Sequence, residues 1–251
     1  MTRVFINTYS YKSKSARTIR KGLGLTTFLK QRQEESRVTL RPSDIVINWG
    51  SASFWGTNCE IWNDPSKINI IGNKLLFMQK AHGGRPGFRV PVWTTDPLVA
   101  ADWNQSVART TLRGTRGDGI VITQKGTEPP VASLYTRYIK KNEEWRVHVA
   151  FNEVIDATRK IRDPNREVTD WQVRSLRNGF IFARESGEPP QQVKDAAIAA
   201  VAHFGLQFGG VDIITTKKGT PVVLEINSAP ALIGTTGERY VNAFLQKLQT
   251  D

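Results

Sequence analysis

The chain has 251 residues, 39% of them hydrophobic and seven of them tryptophan, enough apolar surface for a sizeable core and too much for a disordered chain. Its 35 Lys and Arg against 23 Asp and Glu give a net charge of +12, and no run of 18 apolar residues is present to span a membrane. The single cysteine, Cys59, excludes an intrachain disulfide and suits a reducing cytoplasm.

The opening residues, Met1–Asn7, lack the apolar stretch of a signal peptide, so a cytoplasmic location is expected. Residues 3–9 alternate as a strand, and Ser15–Leu29 reads as a basic helix interrupted by Gly22 and Gly24. The first 42 residues carry ten Lys and Arg against Glu34 and Glu35, a patch that suits nucleic acid, a polyanionic substrate or plain solvation. No zinc-finger spacing or RNA-recognition signature accompanies it. Ile45–Gly50 and Ile68–Gly72 read as short buried strands, followed by a helix from Asn73 to about His82. This alternation predicts a small α/β unit over residues 1–72. Strands are then expected at Val90, Ser106–Thr111 and Gly119–Ile122, with a helix near 97–104. Leu134–Ile139, Trp145–Phe151 and Val154–Lys160 read as further strands. Gln191–Phe204, between Pro189-Pro190 and Gly205, is the clearest helix, and a last one covers Gly237–Gln249. The fold class is therefore α+β, with no obvious linker, so its parts must share interfaces.

The most informative segment is Gly210–Asn227. Two apolar, β-branched runs flank a polar turn containing glycine, which reads as a β-hairpin. With Lys218-Gly219 as a two-residue loop, Asp212 lies opposite Glu225, and Asn227 points to the same face. Val211, Ile213, Val222, Leu224 and Ile226 would then form an apolar wall behind them. Like charges this close need a proton or a cation between them, and hard oxygen donors suit magnesium. An acidic pair neutralised by Lys or Arg fits the same pattern. Arg113–Val121 places Gly114, Gly117 and Gly119 between strands, where bare backbone N–H groups can wrap phosphate or simply turn a hairpin.

Taken in chain order, these pieces resemble the ATP-grasp superfamily. Asn73-Lys74-Leu75-Leu76 followed by Val90-Pro91-Val92 is similar to its first helix and strand. Ser106-Val107-Ala108-Arg109 with the glycine loop resembles its phosphate-binding strand. Glu144-Trp145-Arg146 resembles the acidic-x-Arg strand of its peptide-ligase branch. Phe208–Asp212 and Leu224–Pro230 resemble its metal-binding hairpin, the most specific of these matches. The likeness spans residues 70–245. It is closest to the branch containing glutathione synthetase and the ligases that add glutamate to a ribosomal protein, and it extends to short ATP-grasp proteins of bacteriophages.

The resemblance implies an ATP-grasp fold in which two α+β lobes, residues 73–139 and 140–251, sandwich ATP behind the N-terminal domain at 1–72. Adenine would meet the backbone near Tyr138 and Ile139, with Glu144 on the ribose. Lys74, Arg109 and the glycines at 114, 117 and 119 would hold phosphates, and Lys160, Arg146 and Arg174 would face the γ-phosphate. Asp212, Glu225 and Asn227 would bind Mg2+. Two residues depart from the family pattern: Arg109 stands where lysine is usual, and Ala231 where glycine is common. The activity implied is ligation of a carboxylate substrate to an amine acceptor through an acyl-phosphate, with a small molecule, peptide or protein tail as partner. Relatives often pair, so a homodimer is also implied. The rival readings are phosphoryl transfer to a hydroxyl, and a basic nucleic-acid-binding protein with a degenerate ATP site.

Overall fold

The structure, a computed structural model, describes residues 2–29, 33–36, 38–56, 58–82, 87–114, 117–184 and 187–250. Lys30, Arg32 and Arg37 of the basic stretch, and Thr115 and Arg116 of the glycine loop, lie outside the described residues.

β1 (Val4–Thr8), β2 (Ile45–Trp49) and β3 (Glu60–Trp62) form a parallel sheet in that order. Between the first two strands lies α1 (Lys14–Gly22), whose first turn is capped by Ser13, with Oγ accepting from the Ala16 N–H at 3.3 Å. This helix stops at the first of the two glycines, well short of Leu29. Part of the basic charge here is tied down locally. Arg3 pairs with buried Asp44 at 2.6 Å, and Arg20 donates to the carbonyl of Leu25 at 2.7 Å.

The run Ile68–Gly72, expected as a strand, is the end of helix α2 (Pro65–Ile71). A short apolar run cannot distinguish a buried strand from a buried helix turn. The deciding signal is upstream: Asp64 accepts from the Ser66 N–H at 2.7 Å, and Pro65 sits at the first helical position. Asn73 in turn caps α3 (Lys74–His82), accepting from the N–H of Leu75 at 3.0 Å. That cap fixes Lys74 at the start of a helix.

An antiparallel sheet of order β4-β7-β5-β6 follows, from β4 (Trp93–Thr94), β5 (Gln105–Arg109), β6 (Ile120–Gln124) and β7 (Leu134–Arg137), with the short helix α4 (Pro97–Ala101) after β4. The second antiparallel sheet has the order β10-β9-β8-β11-β12. Its strands are β8 (Glu144–Ala150), β9 (Glu153–Arg162), β10 (Phe180–Ala183), β11 (Phe208–Thr215) and β12 (Pro221–Asn227). Helices α5 (Gln191–His203) and α6 (Thr236–Thr250) complete the fold.

Period-two alternation divides this larger sheet into two faces. Trp145, Val147, Val149, Val211, Ile213, Val223 and Ile226 join one core with α5 and α3, in which Phe77 stacks on Phe204 at 4.8 Å. A second core joins the N-terminal sheet to α6: Trp49 stacks on Phe208 at 5.4 Å and meets Tyr240 edge-on at 5.3 Å. Truncating a buried aromatic such as Phe208 would cost about 3–5 kcal/mol. The parts do share interfaces, as the missing linker implied.

The hairpin keeps its expected pairing for an unexpected reason. Its loop has three residues, 217–219, because the Thr216 N–H bonds the Thr220 carbonyl at 3.0 Å and Gly219 takes the left-handed conformation (φ 81°). That shifts the register by one. A bulge between Asp212 and Ile213 on one strand and 223–225 on the other shifts it back, so Asp212 still opposes Glu225. The bulge also redirects side chains: Val223 enters the core in place of Leu224, which faces a cavity.

Candidate active site

The polar face of the five-stranded sheet carries Glu144, Arg146 and His148 from β8. In register beside them stand Asp156, Thr158 and Lys160 of β9, and Asp212 of β11. Opposite lies the four-stranded sheet, and between the two opens a cavity of about 700 Å3. Lys74, Arg109, Gly114 and Gly117 line it from one side, and Glu144, Arg146, Lys160, Arg174, Asp212 and Glu225 from the other. Tyr138 and Ile139, in the connection from β7 to β8, line it where the sheets meet. Two expected site residues do not. Gly119 is a turn residue (φ 71°) whose carbonyl accepts from the Thr110 N–H at 2.9 Å, and a Cβ there would lie 2.4 Å from Thr111. Asn227 lies beyond the cavity wall, with its amide donating to Glu225 at 3.3 Å.

The charges in the cavity are cross-paired. Arg146 forks onto Asp212, Nε to Oδ1 at 2.6 Å and Nη2 to Oδ2 at 2.7 Å. This is the neutralised alternative left open by the sequence, and the partner comes from the neighbouring strand. Glu144, which Arg146 would meet on sequence proximity, is instead buried between Lys160 and Lys141, the latter at 3.4 Å. Lys74 donates to the Gly114 carbonyl at 2.8 Å and stands 4.0 Å from Glu225. Arg174 reaches the Lys141 carbonyl at 3.4 Å, and its buried Nε has no hydrogen-bond partner among the described residues.

These surroundings set the titrations. Burial resists the charge on Asp212, but the Arg146 fork overcomes it and holds the carboxyl below its usual range. Burial likewise opposes the Arg146 charge, and Asp212 reverses the balance upward. Lys74, Arg109 and Lys141 are all shifted down, chiefly by burial, with nearby Glu225 or Glu144 opposing the shift. Cations made costly in this way are ready for an incoming polyanion.

The donor chemistry fits a hard divalent ion: Asp212 and Glu225 supply carboxylate oxygens, and Asn227 an amide. Among the described residues no group of three or more His, Cys, Asp and Glu comes together, so any ion here would draw further ligands from water or substrate.

Several cavity residues are not apparent from the sequence pattern used above. β10 is absent from the expected strands, yet its Phe182 ring lies 4.5 Å from the Arg146 guanidinium and 4.8 Å from Lys160. The unbroken aromatic and β-branched run Phe180-Ile181-Phe182 after Gly179 is the signal that marks it. Val173 and Leu176, from the connection between β9 and β10, close the cavity from above. There a Cβ on Gly117 would lie 3.1 Å from Val173, and Asp118 pairs with Arg177 at 2.9 Å. Ala231, in the loop after β12, also lines the cavity.

The family described as RimK-like ATP-grasp domain matches residues 111–248. A probable alpha-L-glutamate ligase of Xanthomonas campestris pv. campestris is 31% identical over 137 residues, 49% of this chain and 44% of that protein. The chain thus matches less than half the length of that relative. Among solved structures, the ATP-grasp ligase PsnB complexed with minimal precursor superposes with a TM-score of 0.69 at 17% identity, covering 98% of this chain and 99% of that one. The macrocyclase MdnC bound with precursor peptide MdnA, from Microcystis aeruginosa MRC, gives 0.64 at 14% identity, with 100% of both chains covered. At these identities the likeness establishes the fold: ATP-grasp, of mixed α+β build, as the sequence implied.

Proposed function

Because the chain belongs to the RimK-like ATP-grasp family, we propose that it is an ATP- and magnesium-dependent carboxylate–amine ligase. The observation that carries this reading is the convergence of Lys74, Arg109, Arg146 and Lys160 from two facing sheets on one cavity, beside the opposed carboxylates Asp212 and Glu225. The three sheets fit units at 1–72, 73–139 and 140–251, with the nucleotide between the last two.

Tyr138 and Ile139 would seat the adenine, and Leu224, turned inward by the bulge, would add an apolar wall. Lys74 and Arg109 would hold the phosphate tail, with Gly114 and Gly117 covering it. Asp212 and Glu225 would hold magnesium, joined by Asn227 once its amide turns from Glu225 to present its oxygen; the ion when bound offsets phosphate charge and polarises the transferred group. A carboxylate then attacks the γ-phosphorus as the bond to ADP breaks, and the resulting acyl-phosphate is attacked at carbon by an amine, releasing phosphate. Two anions must meet in the first step. Arg146 and Lys160 lower that repulsion once the phosphate draws them from Asp212 and Glu144. Gly117, close against Val173, would help keep water from the acyl-phosphate. For Glu144 to reach a ribose, it must exchange Lys141 or Lys160 for it.

PsnB is complexed with a precursor and MdnC with a precursor peptide, and a peptide is accordingly the favoured substrate class here, ahead of a free amino acid. Finer proposals rest on sequence alone: a bacteriophage source with a place in the host cytoplasm, a homodimer, and contact of the basic residues 1–42 with an acidic substrate or nucleic acid. The deciding experiment screens amino acids and peptides for magnesium-dependent release of ADP, then weighs the product. An amide with one phosphate released per ADP supports ligation, whereas a phosphorylated hydroxyl would replace it with kinase chemistry.

A further inference from the structure

The two carboxylates of the proposed metal site are covered unequally. The Asp212 side chain is 9% exposed and receives both arms of the Arg146 fork, so its two oxygens are each hydrogen-bonded to a cation. The Glu225 side chain is 39% exposed; Lys74 stands 4.0 Å away, and the Asn227 amide donates to it at 3.3 Å. A divalent ion approaching this pair finds one carboxylate open and the other occupied. Simply losing the guanidinium would strand a buried charge, so the fork has to be exchanged for another cation. The guanidinium itself also needs somewhere to go. The Phe182 ring, 4.5 Å from its Cζ, offers a cation-binding face that supplies no neutralising charge, and the cavity beyond has room for a phosphate, a better partner for a planar fork.

We propose that Arg146 is a resident counter-ion on Asp212 which a nucleotide triphosphate draws away, so that the divalent ion binds well only when the nucleotide does. This rests on the metal role assigned above to Asp212 and Glu225. It adds that one side chain couples the two ligands, that Arg146 opposes metal binding before the nucleotide arrives, and that Phe182 steadies it between its two partners. The coupling is reciprocal: whatever factor the nucleotide adds to ion affinity, the ion adds to nucleotide affinity.

The test is Mn2+ binding followed by electron paramagnetic resonance of the free ion, in the folded full chain, with and without a non-hydrolysable ATP analogue and corrected for ion held by the analogue alone. Wild type is expected to bind Mn2+ weakly by itself and at least about tenfold more tightly with the analogue. Arg146→Met should bind Mn2+ about tenfold more tightly than wild type in the absence of nucleotide, with most of the coupling lost. Arg146→Lys, which keeps the charge but not the fork, should fall between them, and it decides the matter if the methionine variant does not fold. Phe182→Leu should weaken the coupling, and Phe182→Tyr should restore it. If both Arg146 variants bind nucleotide-free Mn2+ no better than wild type, the counter-ion role is wrong while the metal site stands. If wild type binds no Mn2+ even with the analogue, the metal site fails and this inference with it.

Discussion

One face of the five-stranded sheet holds two buried aspartates, each gripped by an arginine, and they differ in how many groups share the grip. At the covered end, Asp156 is 3% exposed and takes Arg184, Arg239 at 3.5 Å and the Thr236 hydroxyl at 2.6 Å. Arg184 also bonds the Ile233 carbonyl at 2.9 Å, so the cluster ties β9, β10 and the start of α6 to the loop after β12. At the open end, Asp212 has the Arg146 fork, flanked by Phe182 and facing the cavity. The same ion-pair chemistry is a rivet where several independent donors converge and an exchangeable contact where one cation stands beside open space. Sequence proximity cannot tell these apart; the neighbours from other strands do.

Substitutions at five positions, one of them read through a pH titration, sharpen that contrast. The largest effect is expected at the open end: Glu225→Gln should reduce magnesium-dependent ADP formation by about a thousandfold, with circular dichroism and thermal midpoint little changed. Wild-type turnover in that variant would remove the metal assignment. At the covered end the loss should appear as stability. Arg184→Met leaves Asp156 short of its main partner and should cost about 3–4 kcal/mol in urea unfolding; a change below about 1 kcal/mol would mean that the cluster is no rivet.

His148, between the two ends, gives the pH dependence. It is 1% exposed, bonds the Tyr240 hydroxyl at 3.1 Å, and faces Arg146, Asp156, Asp212 and Arg184. Burial first, then Arg146, pushes its pKa down to about 4 from 6.5. The unfolded chain therefore takes up a proton below pH 6.5 that the folded chain refuses until about pH 4. The stability from neutral His148 is full above pH 6.5 and is lost as pH falls towards 4, by roughly 2–3 kcal/mol. His148→Gln should flatten that part of the stability curve; an unchanged slope would place the proton elsewhere.

Arg109→Ala should weaken ATP-analogue binding by about 10–30-fold and Arg109→Lys by much less, since the site needs a cation more than a fork. Equal affinities for the two would deny Arg109 a phosphate. The smallest change is expected for Asp118→Asn, which breaks an exposed pair with Arg177 and should shift stability by under about 1 kcal/mol and raise the KM for ATP only slightly.

Many of the cavity residues are legible in the sequence because they sit on regular strands, where alternation fixes the face. The opposition of Asp212 and Glu225 follows from a simple hairpin count, yet it holds only because a three-residue loop and a bulge cancel, and neither leaves a firm mark in the sequence. Leu224 reads as a core residue because the bulge that turns it is invisible in the period-two pattern. Gly119 groups with Gly114 and Gly117 by spacing, although its left-handed backbone serves the turn itself. α2 reads as a strand when its three isoleucines outweigh an Asp-Pro cap. The contacts made across strands distant in sequence leave no such trace. Arg146 with Asp212 and Arg184 with Asp156 depend on register that only the assembled sheet supplies.

The claim that everything else leans on is that Asp212 and Glu225 jointly grip a divalent ion against a triphosphate. A crystal structure of the chain with magnesium and a non-hydrolysable ATP analogue tests it most directly. The expected result is an ion bound by oxygens of both side chains and of the phosphates, with Arg146 moved from Asp212 onto the phosphate tail. Nucleotide bound with no ion at those carboxylates, and Arg146 still forked onto Asp212, would contradict it.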